Sequence, residues 1–183
     1  MSEKIIKGYL IKKNKYRSFD QIIQFLDTNG NKITCLSLGS LKVSSKNGMN
    51  LFIGSLIEFI IFQSRLPEKI SKLKKCHIIE IFDWKKANDK SFLLLNNIIS
   101  SSAYTSVEFF SFYKDCLKTI QNDSLIQEDK IIYVLKSFLS LTMIYIDPSL
   151  NDPFLNTVER KRSYINQIIE YINKTIKINL SLY

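Results

Sequence analysis

Apolar residues follow two rhythms along this chain, and the change falls near Trp84. Before it, short runs of β-branched and aromatic residues alternate with glycine- and asparagine-bearing turns. Ile5–Lys12 predicts a first strand, with Gly8 inside it; a glycine within a strand marks a bulge or a close backbone approach. Lys12–Arg17, KKNKYR, reads as a basic loop and Phe19–Leu26 as a second strand. Asn29-Gly30 between apolar runs is a strong hairpin signal, so Lys32–Leu38 is expected to return as a third strand. Leu51–Gln63 is long enough for a helix, but Gly54 and its β-branched and aromatic content favour a bending strand. Pro67 punctuates, and Ile70–Phe82 predicts a fifth strand. Five short strands joined by tight turns predict a small, closed or nearly closed barrel, OB-like in size. Strand count alone does not separate it from an SH3-like barrel.

After Trp84 the period becomes helical, and all five glycines lie at or before Gly54. Phe92, Leu95, Ile98 and Ile99 share one helix face, behind Asn88 or Asp89 as a cap. Thr105 and Glu108 stand at capping-box spacing ahead of the stripe Phe109, Phe112, Tyr113, Cys116, Leu117 and Ile120. Ser124 and Gln127 repeat that spacing before Ile131, Leu135, Phe138, Leu139 and Thr142, a helix apolar on most sides. Asp147-Pro148 ends it, and Pro148–Thr157 reads as a loop. Tyr164, Ile165, Ile168, Ile169, Ile172 and Ile176 mark a last helix. The expected class is α+β: a five-stranded OB-like barrel over residues 1–83, then an all-helical domain of about four helices over 84–183.

Between strands three and four lies Leu38–Gly48, LGSLKVSSKNG, with two lysines and no acidic residue. Charge makes it more than a linker. Of 26 Lys/Arg and 17 Asp/Glu, residues 1–75 hold 14 and 5, and residues 76–183 hold 12 of each. The net +9 therefore sits wholly in the barrel half, and an asymmetry of that kind points to an anionic partner. The Ile, Lys and Asn bias resembles that of an AT-rich genome, but such a bias does not load one half only. Three clusters carry the charge: Lys12, Lys13, Lys15 and Arg17; Lys42 and Lys46; Lys69, Lys72, Lys74 and Lys75. A cationic groove with an aromatic suits single-stranded nucleic acid. Tyr16 and Phe19 are the stacking candidates; Tyr16, inside the basic loop, is the stronger of the two, and core burial is the expected role of Phe19. No base-reading constellation is visible, so weak sequence preference and steep salt dependence are expected.

Other chemistries have little support. His77 is the single histidine, and adjacent strand residues such as Cys76 and His77 point to opposite faces. Asp20, Asp27 and Glu58 are scattered, and no glycine-rich phosphate loop is present. Cys35, Cys76 and Cys116 are odd in number and far apart, which argues against a disulfide framework or a CxxC metal site. Trp84 is expected to pack at the domain junction. The chain is read as non-enzymatic, without metal, cofactor, small-molecule substrate, signal peptide or membrane segment, in a reducing cytoplasm. An RNA-binding module of translation or ribosome assembly, or a non-catalytic protein adapter, stays open on charge alone.

One resemblance favours DNA. GYLIKKNKYRSFDQIIQFLDTNGNKITCLSLGSLKVSSKNG is similar to the N-terminal domain of the bacterial recombination mediator family RecO. The likeness lies in Gly8, Tyr16, Asp20, the Ile22–Leu26 strand, Gly30–Lys32 and the pattern Gly39, Lys42, Ser45, Lys46. KISKLKKCHIIE resembles the family's Leu-x-x-Leu-Lys strand through Ile70, Leu73 and Lys74. The departures are Arg17-Ser18 in place of Gly-Glu, Leu41 where arginine is common, and no four-cysteine zinc ribbon, so a short form without zinc is expected. The resemblance implies a nucleoid-associated protein that binds single- and double-stranded DNA and anneals complementary strands. It implies help in loading recombinase onto DNA coated with single-strand-binding protein, with that protein's acidic tail and a RecR-like mediator as partners. The DNA-binding residues would be Lys12, Lys13, Lys15, Tyr16, Arg17, Lys42, Lys46, Lys72, Lys74 and Lys75.

Overall fold

A single long strand lets the sheet close. In the computed structural model, which describes residues 2–64, 69–103, 105–143, 155–176 and 180–181, β1 spans Ser2–Lys15. Its first half pairs antiparallel with β4, Leu56–Gln63, and its second half with β2, Gln21–Asp27. Gly8 and Tyr9 have partners on both sides. A Cβ at Gly8 would stand 2.4 Å from the Leu26 carbonyl oxygen, so the predicted close approach is real. The irregularity in β1 falls two residues later, between Leu10 and Lys12. The predicted hairpin follows: β2 turns into β3, Lys32–Ser37, through Gly30 at φ 79°. Buried Asp27 accepts from the amides of Asn29 (2.9 Å) and Asn31 (2.7 Å). β5, Ser71–Glu80, runs antiparallel to β4 and parallel to β3, which closes the barrel in the order β1-β2-β3-β5-β4. That is the predicted five-stranded OB-like arrangement, followed by helices.

The core of the barrel is Ile6, Leu10, Ile23, Phe25, Cys35, Leu51, Ile57, Phe59, Ile61, Leu73 and Cys76. Phe25 and Phe59 stack across it at 4.1 Å between centroids. Four sequence expectations change. Lys12–Lys15 continue β1 instead of forming a loop, because their backbones still find partners in Gln21–Gln24. Phe19 lies in the β1–β2 turn, 53% exposed, and not in the core. Gly54, at φ 87°, sits in the turn before β4 instead of bending it. Trp84 is 70% exposed instead of packed.

The chain divides into two compact units, Met1–Trp84 with Thr105–Phe110, and Lys85–Tyr104 with Ser111–Tyr183. The helices are α1 (Lys90–Ser101), α2 (Val107–Gln121), α3 (Gln127–Leu141) and α4 (Val158–Ile176). Their apolar stripes are buried as periodicity predicts, from Phe92, Leu95, Ile98 and Ile99 to Tyr164, Ile165, Ile168 and Ile172. The caps differ. At α2 it is the Ser106 hydroxyl, one residue beyond Thr105, that accepts from the Phe109 amide. At α3 Ile126 takes the cap position without a side-chain bond, while Ser124 binds Asn122. Pro67, Asp147-Pro148 and most of the expected Pro148–Thr157 loop lie outside the described residues.

Asp89 does cap α1, accepting from the Ser91 amide (2.9 Å) and hydroxyl and from Gln127 Nε2 (2.7 Å). Burial alone would push its carboxyl up. The bonds from Ser91 and Gln127 and the Lys130 charge outweigh this, and the net shift is downward from 3.8. A carboxyl depressed on folding adds stability above its unfolded value, lost as pH falls through the folded one. Asp89→Asn should therefore lower stability by about 0.3–1 kcal/mol at pH 7. Thermal melts should show that gap shrinking as pH falls below 3.8. A gap that widened in acid would contradict this account.

Candidate nucleic-acid interface

The loop Leu38–Gly48 is built by serine, asparagine and glycine for local reasons. Successive turns close through Lys42 N–H to Gly39 O (3.1 Å) and Ser45 N–H to Lys42 O (2.9 Å). The loop then doubles back so tightly that a Cβ at Gly48 would stand 2.0 Å from the Ser40 carbonyl oxygen. Any side chain there would force the loop open.

Both ends of this loop are fastened to the other basic clusters. At its start the Gly39 amide donates to the Asp20 carboxylate (2.8 Å) and the Leu41 amide to the Phe19 carbonyl (3.0 Å). The Ser40 hydroxyl, buried, bonds Gln21 Oε1 (3.1 Å). At its end Asn47 donates from Nδ2 to the Lys74 carbonyl (3.2 Å) and accepts at Oδ1 from the Cys76 amide (3.2 Å). Asn50 adds a bond to the Cys76 carbonyl (3.1 Å). One loop thus links the Arg17 turn to the lysines of β5.

The predicted site residues divide by geometry. Lys12, Lys15, Tyr16 and Arg17 are exposed, Lys12 and Lys15 on β1 and the other two in the turn. Lys13 falls in register with buried Ile23 and donates from Nζ to the Leu51 carbonyl at 2.8 Å. Burial pushes its ammonium pKa down, and it serves the end of the barrel. Lys42 and Lys46 are exposed on the loop. On β5 the pairing with β4 shifts between Ile60 and Ile61, opposite Lys75 and Leu73. This irregularity turns two successive residues, Lys74 and Lys75, outward between buried Leu73 and Cys76. Lys72 is exposed beyond it, and Lys74 pairs with Glu3 at 2.5 Å over the Phe62 ring.

The Arg17 turn and the start of the loop enclose an open depression of about 480 Å³, which Phe19 lines together with Arg17, Asp20, Gly39 and Lys42. The Lys42 ammonium stands 5.6 Å from the Phe19 ring centre, and the Arg17 guanidinium 5.2 Å from that of Tyr16. Core burial was the expected role of Phe19, ahead of stacking, because it adjoins an apolar run. Its polar neighbours Ser18 and Asp20 were the available signal. Asn47 was missed as a tether; Asn beside Gly48 reads equally well as a plain turn.

Other chemistry finds little here. His77 is exposed and Cys76 buried, so the two do point apart. Burial pushes the thiols of Cys35 and Cys76 up to about 12 and 11, and that of Cys116 up as well, which suits packing and not nucleophilic chemistry. Among the described residues no three His, Cys, Asp or Glu converge to hold a metal, and no helix is long and apolar enough to cross a membrane.

No family model matches the chain. Three curated proteins resemble it, each a DNA repair protein RecO. That of Mesoplasma florum is 36% identical over 101 residues, 55% of this chain and 38% of the relative. That of Mycoplasma mycoides subsp. mycoides is 28% identical over 167 residues, covering 91% and 66%. That of Mycoplasma capricolum subsp. capricolum is 30% identical over 99 residues, covering 54% and 39%. The chain is similar to these RecO proteins over 54% to 91% of its own length. It spans less than two thirds of the length of each of these RecO relatives. The RecO-like pattern Gly39, Lys42, Ser45, Lys46 falls on the tethered loop, and the RecO-like Asp20 is the residue that fastens it to the turn.

Proposed function

We propose that this chain acts in DNA repair as a RecO-like recombination mediator. In this reading residues 1–83 bind single- and double-stranded DNA with little sequence preference, and residues 84–183 are a helical domain that serves partners. The DNA contacts are Lys12, Lys15, Arg17, Lys42, Lys46, Lys72, Lys74 and Lys75 on phosphates and Tyr16 on a base, with Lys13 supporting them from the barrel end. The protein anneals complementary strands and helps load recombinase onto DNA coated with single-strand-binding protein. Its partners are that protein's acidic tail and a RecR-like mediator, and it works in the cytoplasm at the nucleoid, without catalysis, metal or cofactor. The observation that carries this reading is the loop Leu38–Gly48, hydrogen-bonded at one end to the Arg17 turn and at the other to the lysines of β5.

Gel-shift and strand-annealing assays test it. Two unrelated sequences should bind within a few-fold of one another, single- or double-stranded. If about six phosphates are engaged, affinity should fall roughly a thousandfold between 50 and 200 mM salt. Annealing should persist when the strands carry single-strand-binding protein. Failure to bind either form of DNA would defeat the reading, and tighter binding to RNA of the same sequence would transfer it to the RNA-binding alternative.

A further inference from the structure

Phosphate attraction does not account for the aromatic ring that lines the depression between Arg17 and Lys42. Phe19 stands in the five-residue turn between β1 and β2, flanked by the polar Ser18 and Asp20, and is 53% exposed. It is held there from both sides. The Tyr16 amide donates to the Asp20 carbonyl at 2.9 Å, the Leu41 amide to the Phe19 carbonyl at 3.0 Å, and the Gly39 amide to the Asp20 carboxylate at 2.8 Å. A large apolar side chain kept in water on a clamped backbone is a preformed contact surface.

We propose that Phe19 is a stacking platform for one unpaired base, with Arg17 and Lys42 gripping the phosphates on either side of it. The proposal rests on the nucleic-acid reading above and narrows it: this part of the interface takes single strands and not duplex. Three features favour a base over other occupants. The depression, at about 480 Å³, is open to solvent, so a planar ring can reach Phe19. Asp20 is among its lining residues, and its negative charge disfavours a phosphate or an acidic peptide in the seat itself but tolerates a neutral base. The cations stand at its rim, Lys42 over Phe19 and Arg17 over Tyr16. An exposed cation–π contact is weaker than base–aromatic stacking, so an arriving base displaces Lys42 from the ring and leaves its ammonium for a flanking phosphate. A base inside a duplex has both faces covered by its neighbours and cannot make this exchange.

The experiment uses the full chain with one oligonucleotide, single-stranded or annealed to its complement. Phe19→Ala should weaken single-strand binding by roughly 5- to 150-fold and leave duplex binding within about twofold. Phe19→Tyr should restore the single-strand affinity. In a Trp84→Phe background, which removes the natural indole, the fluorescence of Phe19→Trp should be quenched by the single strand and not by the duplex. Equal weakening of both forms, or no weakening of either, overturns the platform while leaving DNA binding standing. A wild-type protein that binds neither form defeats the nucleic-acid reading, and the platform with it.

Discussion

Replacing Lys42 and Lys46 with glutamate should weaken DNA binding on the order of 100-fold and abolish annealing at physiological salt. Every phosphate that a lysine neutralises releases counterions and steepens the log–log salt dependence by about 0.7–0.9. Without these two lysines the slope should flatten by roughly 1.4–1.8. Reversal adds repulsion. A carboxylate at position 42 would join Asp20 in the depression, turning a cationic rim acidic. Annealing should suffer more than binding, because two polyanions must be neutralised at once. Both lysines are exposed, so thermal stability should move by less than about 0.5 kcal/mol. The neutral pair Lys42→Gln and Lys46→Gln should fall between wild type and reversal. A reversed protein that binds within twofold of wild type would remove this loop from the interface.

What the sequence disclosed and what it concealed follow from the range of the interactions involved. The Asn29-Gly30 hairpin was legible because its determinants lie within five residues, from the Asp27 carboxylate to the Asn31 amide. The helical stripes were legible because a 3.6-residue period repeated over about three to five turns is hard to mistake. The last residues of β1 were not. Lys12–Lys15 carry no strand signal, and they pair only because β2 lies alongside. A closed or nearly closed barrel was expected from five short strands, but the pair that closes it was invisible, since β3 and β5 meet in parallel through Cys35–Ser71 and Leu36–Lys72, more than thirty residues apart. The three lysine clusters were visible as charge, but the bonds that join them run through Asp20, Asn47 and two backbone carbonyls. Asn47 and the carbonyls have no period or motif of their own, and Asp20 stood out only as one residue of the RecO-like pattern. Lys13 was expected as a DNA-binding residue on a basic loop; it lies on β1, and its ammonium holds the Leu51 carbonyl at the barrel end, a bond between residues 38 apart that composition does not announce.

Phe59→Ala should destabilise the barrel by about 3–5 kcal/mol. Phe59 is fully buried and stacks on Phe25 at 4.1 Å, so truncation removes its transfer energy, opens a cavity and ends the aromatic pair. Set against a total stability of roughly 5–15 kcal/mol, that is a large share. DNA binding should fail at temperatures where the wild type still binds, because the loop that carries Lys42 and Lys46 is fastened to Cys76, whose side chain belongs to the same core as Phe59. Phe19→Ala provides the contrast. The residue type and the truncation are the same, but the ring is half in water, and its removal should shift stability by less than about 0.5 kcal/mol. Urea unfolding followed by far-UV circular dichroism separates the two, with a lower midpoint for Phe59→Ala and an unchanged one for Phe19→Ala. If both midpoints fell alike, Phe19 would be a core residue after all. The platform would then lose its basis, since a ring needed for packing is not free to receive a base.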